Sequence, residues 1–150
     1  MYRLILSAVL TMTVLQAGCG ADDIAIPAGR ADTLVALTKD DSVVANCETV
    51  RLALEAFGAD NGGMYPETKW SAGSNGKYIV EYLPGGTSLL NPYRGGLSEP
   101  TDGESVTEGE TGYVSAHDDA GDPTGYIISG TGGTPGEFIY YYFKKPLGQE

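Results

Sequence analysis

The chain has 150 residues, 41% of them apolar, with 22 Gly, 8 Pro, a formal charge of −11 and a pI near 4.3. That length allows one domain, and the composition suits a small folded core with long connections rather than a disordered tail. Binding to phosphate needs Lys and Arg, so the charge excludes nucleic acid as a partner and electrostatic adhesion to anionic lipid.

In chain order, Met1–Cys19 reads MYRLILSAVLTMTVLQAGC, with Arg3 ahead of a 14-residue apolar run from Leu4 to Ala17. A spanning helix needs about 20 such residues, whereas this length fits the core of a signal peptide. Leu15-Gln16-Ala17-Gly18-Cys19 resembles the lipobox of bacterial lipoproteins, with Leu one position earlier than the pattern places it. The resemblance implies cleavage before Cys19, a diacylglyceryl group on its sulfur, and a membrane anchor at the cell envelope, facing the periplasm or the cell surface. More than one acyl chain there would hold stably, as a single chain does not. Residues 1–18 are then the signal peptide and 19–40 the lipidated Cys and its tether. An ordinary secretory signal cut near Ala17 or Ala21, with Cys19 incidental, is the other reading.

The domain proper is expected over residues 41–146. Val43, Cys47, Val50, Leu54 and Phe57 are spaced 4-3-4-3 and fall within an arc of about 80° on a helix, which suits packing on one face of a sheet. Asp40 or Asp41 is expected to cap the start, Asn61-Gly62 to end the helix, and Ala31–Lys39 to add a short turn of helix ahead of it. Cys47 on the stripe reads as a small buried hydrophobe rather than half of a disulfide. Ala45, Leu52, Ala56 and Ala59 on the opposite side read as good helix formers on a solvated face.

Beyond Pro66 an irregular middle is expected. Lys77–Leu83 is amphipathic as helix or strand, Leu89 and Leu90 serve as apolar anchors before a Pro-led turn, and residues 96–111, with five carboxylates, form a solvated loop. Residues 112–116, 125–130 and 137–143 are rich in aromatic and β-branched residues and read as a three-stranded antiparallel meander. The last of them is apolar on both faces and is expected to be central or helix-covered. The fold class is α+β: one long N-terminal amphipathic helix packed on a small C-terminal three-stranded antiparallel sheet, with an irregular middle segment.

Leu54-Glu55-Ala56-Phe57 followed by Asp60-Asn61-Gly62-Gly63-Met64-Tyr65-Pro66 resembles the helix end and D-N-G-x-Y-P stop of type II secretion major pseudopilins, with one extra residue before the Tyr. Leu90-Asn91-Pro92-Tyr93 is similar to their N-P-Y segment, and Gly125–Gly130 to their penultimate strand. The similarity covers about residues 41 to 143. It implies a pilin-like head, carried in that family on a long N-terminal helix that assembles filaments. Here no G-F-x-x-x-E motif precedes Leu4, and cleavage at Cys19 would remove the apolar run. The expectation is therefore a head without the polymerising stem. It would be a non-catalytic envelope lipoprotein, acting as a scaffold or interaction module beside a type II secretion or pilus-like system. The alternatives are a genuine pseudopilin filament subunit whose start lies upstream, and a calcium- or carbohydrate-binding envelope module.

Few residues suggest chemistry. No cofactor is required by any motif. Asp118, Asp119 and Asp122 could supply hard oxygen ligands to calcium, yet Asp and Gly are equally the residues of a hairpin turn. The family often binds calcium near the final strands, but Thr131–Gly136 here lacks a carboxylate. His117, the sole histidine, has no Ser or Cys motif beside it, and the GTGGTPG run lacks the Lys and helix of a phosphate loop. Tyr140–Tyr142 suit a core strand, whereas Trp70, amid Gly and Ser, is the candidate exposed contact.

Overall fold

The computed structural model describes residues 28–148. Helix α1 runs over Ala28–Asp60, followed by a 3₁₀ turn at Ile79–Tyr82 and six strands: β1 Leu89–Leu90, β2 Leu97–Glu99, β3 Thr101–Asp102, β4 Thr111–Ala116, β5 Gly125–Thr131 and β6 Phe138–Lys144. Strands β1 and β2 form a two-stranded ribbon. The main sheet has the order β3-β4-β5-β6, antiparallel through β4, β5 and β6, with β3 added parallel to β4. The α+β class is as expected, but the sheet has four strands and is mixed, because the acidic loop contributes one.

The stripe works as its spacing predicts. Val43, Cys47, Val50, Leu54 and Phe57 are all buried, against Tyr113, Tyr126 and Ile128 from the inner face of the sheet. Burial of each large apolar side chain contributes about 1.5–3 kcal/mol, so this seam holds helix and sheet together. Gly130 lets the helix come close: a Cβ there would lie 2.7 Å from Cys47 Sγ, 3.1 Å from Val43 Cγ1 and 3.2 Å from Tyr140 Cβ. The helix stops as expected. Gly62 and Gly63 take positive φ, and Gly63 N–H donates to the Gly58 carbonyl at 2.8 Å, the six-residue bond of a Schellman ending.

Its start differs from expectation. The helix is continuous from Ala28, so Asp40 and Asp41 lie inside it and cap nothing. Asp40 Oδ1 instead accepts from Tyr93 Oη at 2.6 Å and from Gly133 N–H at 3.1 Å, and Tyr93 Oη also reaches the Ala36 carbonyl at 3.3 Å. The short turn of helix expected over Ala31–Lys39, within the expected tether, is part of α1 itself, and contacts of the head reach back to Ala36. The expected signal peptide, Cys19 and the expected tether as far as residue 27 lie outside the described residues. Among those described, no helix is long and apolar enough to cross a membrane.

The middle is less irregular than its composition suggests. Ile79 and Leu83 anchor the 3₁₀ turn in the core, and Glu81 accepts from Tyr78 N–H at 2.8 Å. Leu90 is not an anchor: it faces solvent opposite Leu97, while Leu89 packs against the core. The residue that ties this turn down is Asn91. Its oxygen accepts from the backbone of Tyr93 and Arg94, and its amide donates to Glu99 and to the Glu108 carbonyl.

Two of the five carboxylates in the loop expected to be solvated turn inward. Glu99 is 1% exposed. It accepts from Asn91 Nδ2 at 3.1 Å, Ser98 Oγ at 3.0 Å and Thr111 N–H at 2.6 Å. Glu110 accepts from the N–H groups of Val106 and Thr107 and from Thr101 Oγ1. Burial opposes ionisation of Glu110, yet those backbone and hydroxyl donors outweigh it and hold the carboxyl below its usual range.

Candidate functional site

Strand β6, expected to be central or helix-covered, lies at the edge of the sheet with its inner face toward the helix; β5, inside the sheet, lies under the helix as well. The inner face of β6 is used by the core. Tyr140 donates to Glu48 at 2.7 Å, Tyr142 packs on Tyr126, and Lys144 reaches Glu55 at 2.7 and 2.9 Å. A bulge at Ile139, opposite Gly130–Thr131, then sets the outward parity of the strand. Tyr141 (55% exposed), Phe143 (49%) and Phe138 (43%) face solvent.

The neighbouring strands extend this outer face. Val114 pairs with Ile127 and Ile127 with Phe143, giving a half-buried aliphatic strip beside the exposed aromatics. Residues 103–107 roof only the other end. Ser105 N–H donates to Ser129 Oγ at 2.8 Å and Thr131 Oγ1 to Ser105 Oγ at 2.9 Å, above Gly112, where a Cβ would strike Gly103 and Ser105. The sheet therefore has a helix on one face and, on the other, an open aromatic strip ending at a strand whose outer edge is unpaired among the described residues. Exposed aromatics grouped on one rigid face mark interaction surfaces more often than scattered ones do.

A polar cluster stiffens the same side of the core. Glu55 accepts from Lys144 and, at 2.6 Å, from Tyr126 Oη. Burial disfavours its charge, but the bonds from Lys144 and Tyr126 prevail and hold its carboxyl below the ordinary range. Burial, reinforced by Glu55, pushes the Tyr126 hydroxyl far up. The Cys47 thiol, inside the seam, is pushed up to about 12 by burial. These groups are braces rather than reactive centres, since each is neutral or committed to a partner.

A concavity of about 350 Å³ lies at the foot of the helix, lined by Phe57, Asn61, Met64, Tyr65, Pro66 and Pro123 among others. Beside it Glu67 accepts from Ser115 Oγ at 3.1 Å, and His117 Nε2 sits 2.9 and 3.0 Å from its two oxygens. The bond to His117 is the chief reason that Glu67 titrates below its usual range. A serine activated for attack gives its proton to an imidazole. Here the Ser115 hydroxyl is turned to the carboxylate, which suits fastening β4 to the loop after the helix.

Asp118, Asp119 and Asp122 occupy the turn between β4 and β5. Asp118 Oδ1 accepts from Ala120 and Asp122 N–H at 2.9 Å each, and Oδ2 from Thr124 Oγ1 at 3.3 Å. Both its oxygens are engaged by the loop itself, and the Asp122 N–H is the main cause of its lowered pKa. Among the described residues no group of three or more His, Cys, Asp or Glu side chains is placed to hold a metal. Trp70 is 64% exposed, with Lys69 Nζ 5.2 Å from its ring centre. Sequence reasoning selected Trp70, set Tyr141 aside as core and did not single out Phe143, because an aromatic strand reads as core until its place in the sheet is known. No protein family, no characterised protein and no solved structure matches the chain.

Proposed function

We propose that the chain is a non-catalytic cell-envelope lipoprotein whose pseudopilin-like head is a scaffold or interaction module, placed beside a type II secretion or pilus-like assembly. The observation that carries the interaction role is the open outer face of the sheet, with Tyr141 and Phe143 exposed beside Val114 and Ile127. The helix stripe is wholly used in the head's own core, whereas the outer face groups exposed aromatics on one rigid sheet. Anchoring rests on the lipobox-like Leu15–Cys19, and the link to secretion rests on the D-N-G stop and N-P-Y segment.

Two measurements on the full chain test the two halves. Radioactive palmitate should label the wild type and not Cys19→Ala; label that persists in the variant, or none on the wild type, removes the anchor. A photo-crosslinking residue in place of Phe143 should capture a discrete adduct in envelope extracts, and one in place of exposed Lys77, ahead of the 3₁₀ turn and off the outer face of the sheet, should capture less. No adduct from either position would end the interaction reading.

A further inference from the structure

Strand β6 closes the sheet, and among the described residues no strand pairs with its outer edge. We propose that this edge pairs antiparallel with the same edge of a second copy of the chain, with the two-fold axis at Tyr141. The inference rests on the outer face being an interaction surface, and it names the partner.

An unpaired edge presents a row of backbone donors and acceptors, which folded proteins usually blunt with charge, Pro or a bulge. In β6 these devices sit only at the ends: the bulge at Ile139 on one side, Lys144, Lys145 and Pro146 on the other. Tyr140–Phe143 between them has neither charge nor Pro. Directly opposed residues of an antiparallel ladder share a face, so a two-fold pairing must be centred on a residue rather than between two.

Charge then selects the register. Because the bulge at Ile139 takes up one residue, Glu137 would oppose Tyr142 in a register centred on Tyr140 (280 − 138) and Pro146 in one centred on Tyr142 (284 − 138). Centred on Tyr141 it opposes Lys144 (282 − 138), which already holds Glu55, with exposed Lys145 next to it. The side chains of Glu137 and Lys145 are exposed and have no ion-pair partner among the described residues. Symmetry brings the unlike charges together twice. Tyr141 meets its counterpart, and the Phe143 rings of both copies extend the aromatic strip across the joint. The charge of −11 on each copy opposes approach. At physiological salt that repulsion is screened beyond about 8 Å, whereas the edge contacts lie within that distance.

The test uses the full chain in its envelope. Opposed Cα atoms in such a ladder are about 4.5–5.5 Å apart, inside the range a disulfide spans. Under mild oxidant Tyr141→Cys should therefore give a dimer band on non-reducing gels, while the wild type and the equally exposed Leu97→Cys give little. In the Tyr141→Cys background, Glu137→Lys should lower the yield about three- to tenfold, from two exposed ion pairs lost by symmetry, and adding Lys145→Glu should restore it. A zero-length carbodiimide on the unmutated chain should join Glu137 to Lys145 or Lys144 within the dimer band, read by mass spectrometry. Tyr141→Cys crosslinking no better than Leu97→Cys, together with no such joined peptide, overturns the pairing. A Phe143 photo-adduct containing only an unlike protein would also overturn it while leaving the interaction surface standing, and the absence of any adduct would remove both.

Discussion

Gly130 is where helix and sheet approach most closely, and replacing it with Ala measures that contact. The added Cβ would meet Cys47 Sγ at 2.7 Å, Val43 Cγ1 at 3.1 Å and Tyr140 Cβ at 3.2 Å, so the seam must open or the three side chains must shift. Overpacking of this kind costs about 1–3 kcal/mol. Stiffening of the unfolded chain by the Gly→Ala change offsets about 0.4–1 kcal/mol. The net expectation is a loss of about 1–2 kcal/mol, a fall in Tm of about 4–8 °C per kcal/mol for a head of this size. Cys47→Ala removes the nearest atom. Alone it should cost about 1 kcal/mol as a small core truncation, but in the Gly130→Ala background it should cost less or even stabilise. The assay is urea unfolding of the wild type, both single variants and the double variant, followed by near-ultraviolet dichroism of the core tyrosines. A coupling of at least about 1 kcal/mol is expected, well above the 0.3–0.5 kcal/mol scatter of independent sites. Additive costs, or a Gly130→Ala variant as stable as wild type, would refute the close approach of α1 to β5.

Other perturbations read other parts of the head. Glu99→Leu removes the acceptor of the buried Thr111 N–H and of Asn91 Nδ2, and leaving such donors unpaired should cost about 2–3 kcal/mol in chemical denaturation. Because Glu55 has a lowered folded pKa, its stabilising effect is present above the unfolded value of 4.5 and fades as pH falls through the folded one. Wild type should therefore lose stability in acid more steeply than Glu55→Gln, as thermal melts from pH 7 downward would record. The Cys47 thiol, raised from 9.0 to about 12, should hold about a thousandfold less thiolate near pH 8 than a free cysteine. In Cys19→Ala, a disulfide reagent should thus stay silent until urea unfolds the chain; prompt reaction of the folded form would contradict the burial. With both Asp118 oxygens engaged by the turn, calcium at about 1 mM, the weak end of extracellular sites, should leave Tm unchanged; a rise abolished by Asp118→Ala would revive the metal site.

Periodicity made the framework legible. The stripe from Val43 to Phe57 and the strands around Tyr113, Ile128 and Tyr142 emerge because a period of 3.6 or 2 reports directly which side of an element is buried. The inward turn of Glu99 and Glu110 was not legible for a different reason. Both sit among Gly, Ser and Thr, and their principal donors are backbone N–H groups, which have no sequence signature. Asp40 reads locally as a cap, and only the return of Tyr93 and Gly133 from more than 50 residues downstream makes it a tie between helix and loops.

The misplacement of β6 is the most informative of these differences. A strand apolar on both faces suggests cover on both faces, and periodicity does not say what lies beside it. In the fold Tyr140 and Tyr142 face the helix, whereas Phe138, Tyr141 and Phe143 face solvent on a strand whose outer edge is unpaired among the described residues. The core needs only one parity of that strand, and polar residues on the other would leave its contacts with the helix unchanged. The exposed aromatics therefore contribute little to the isolated head, through the contact of Phe138 with Tyr141 and the pairing of Phe143 with Ile127, and Tyr141→Ser and Phe143→Ser should cost its stability little while abolishing association.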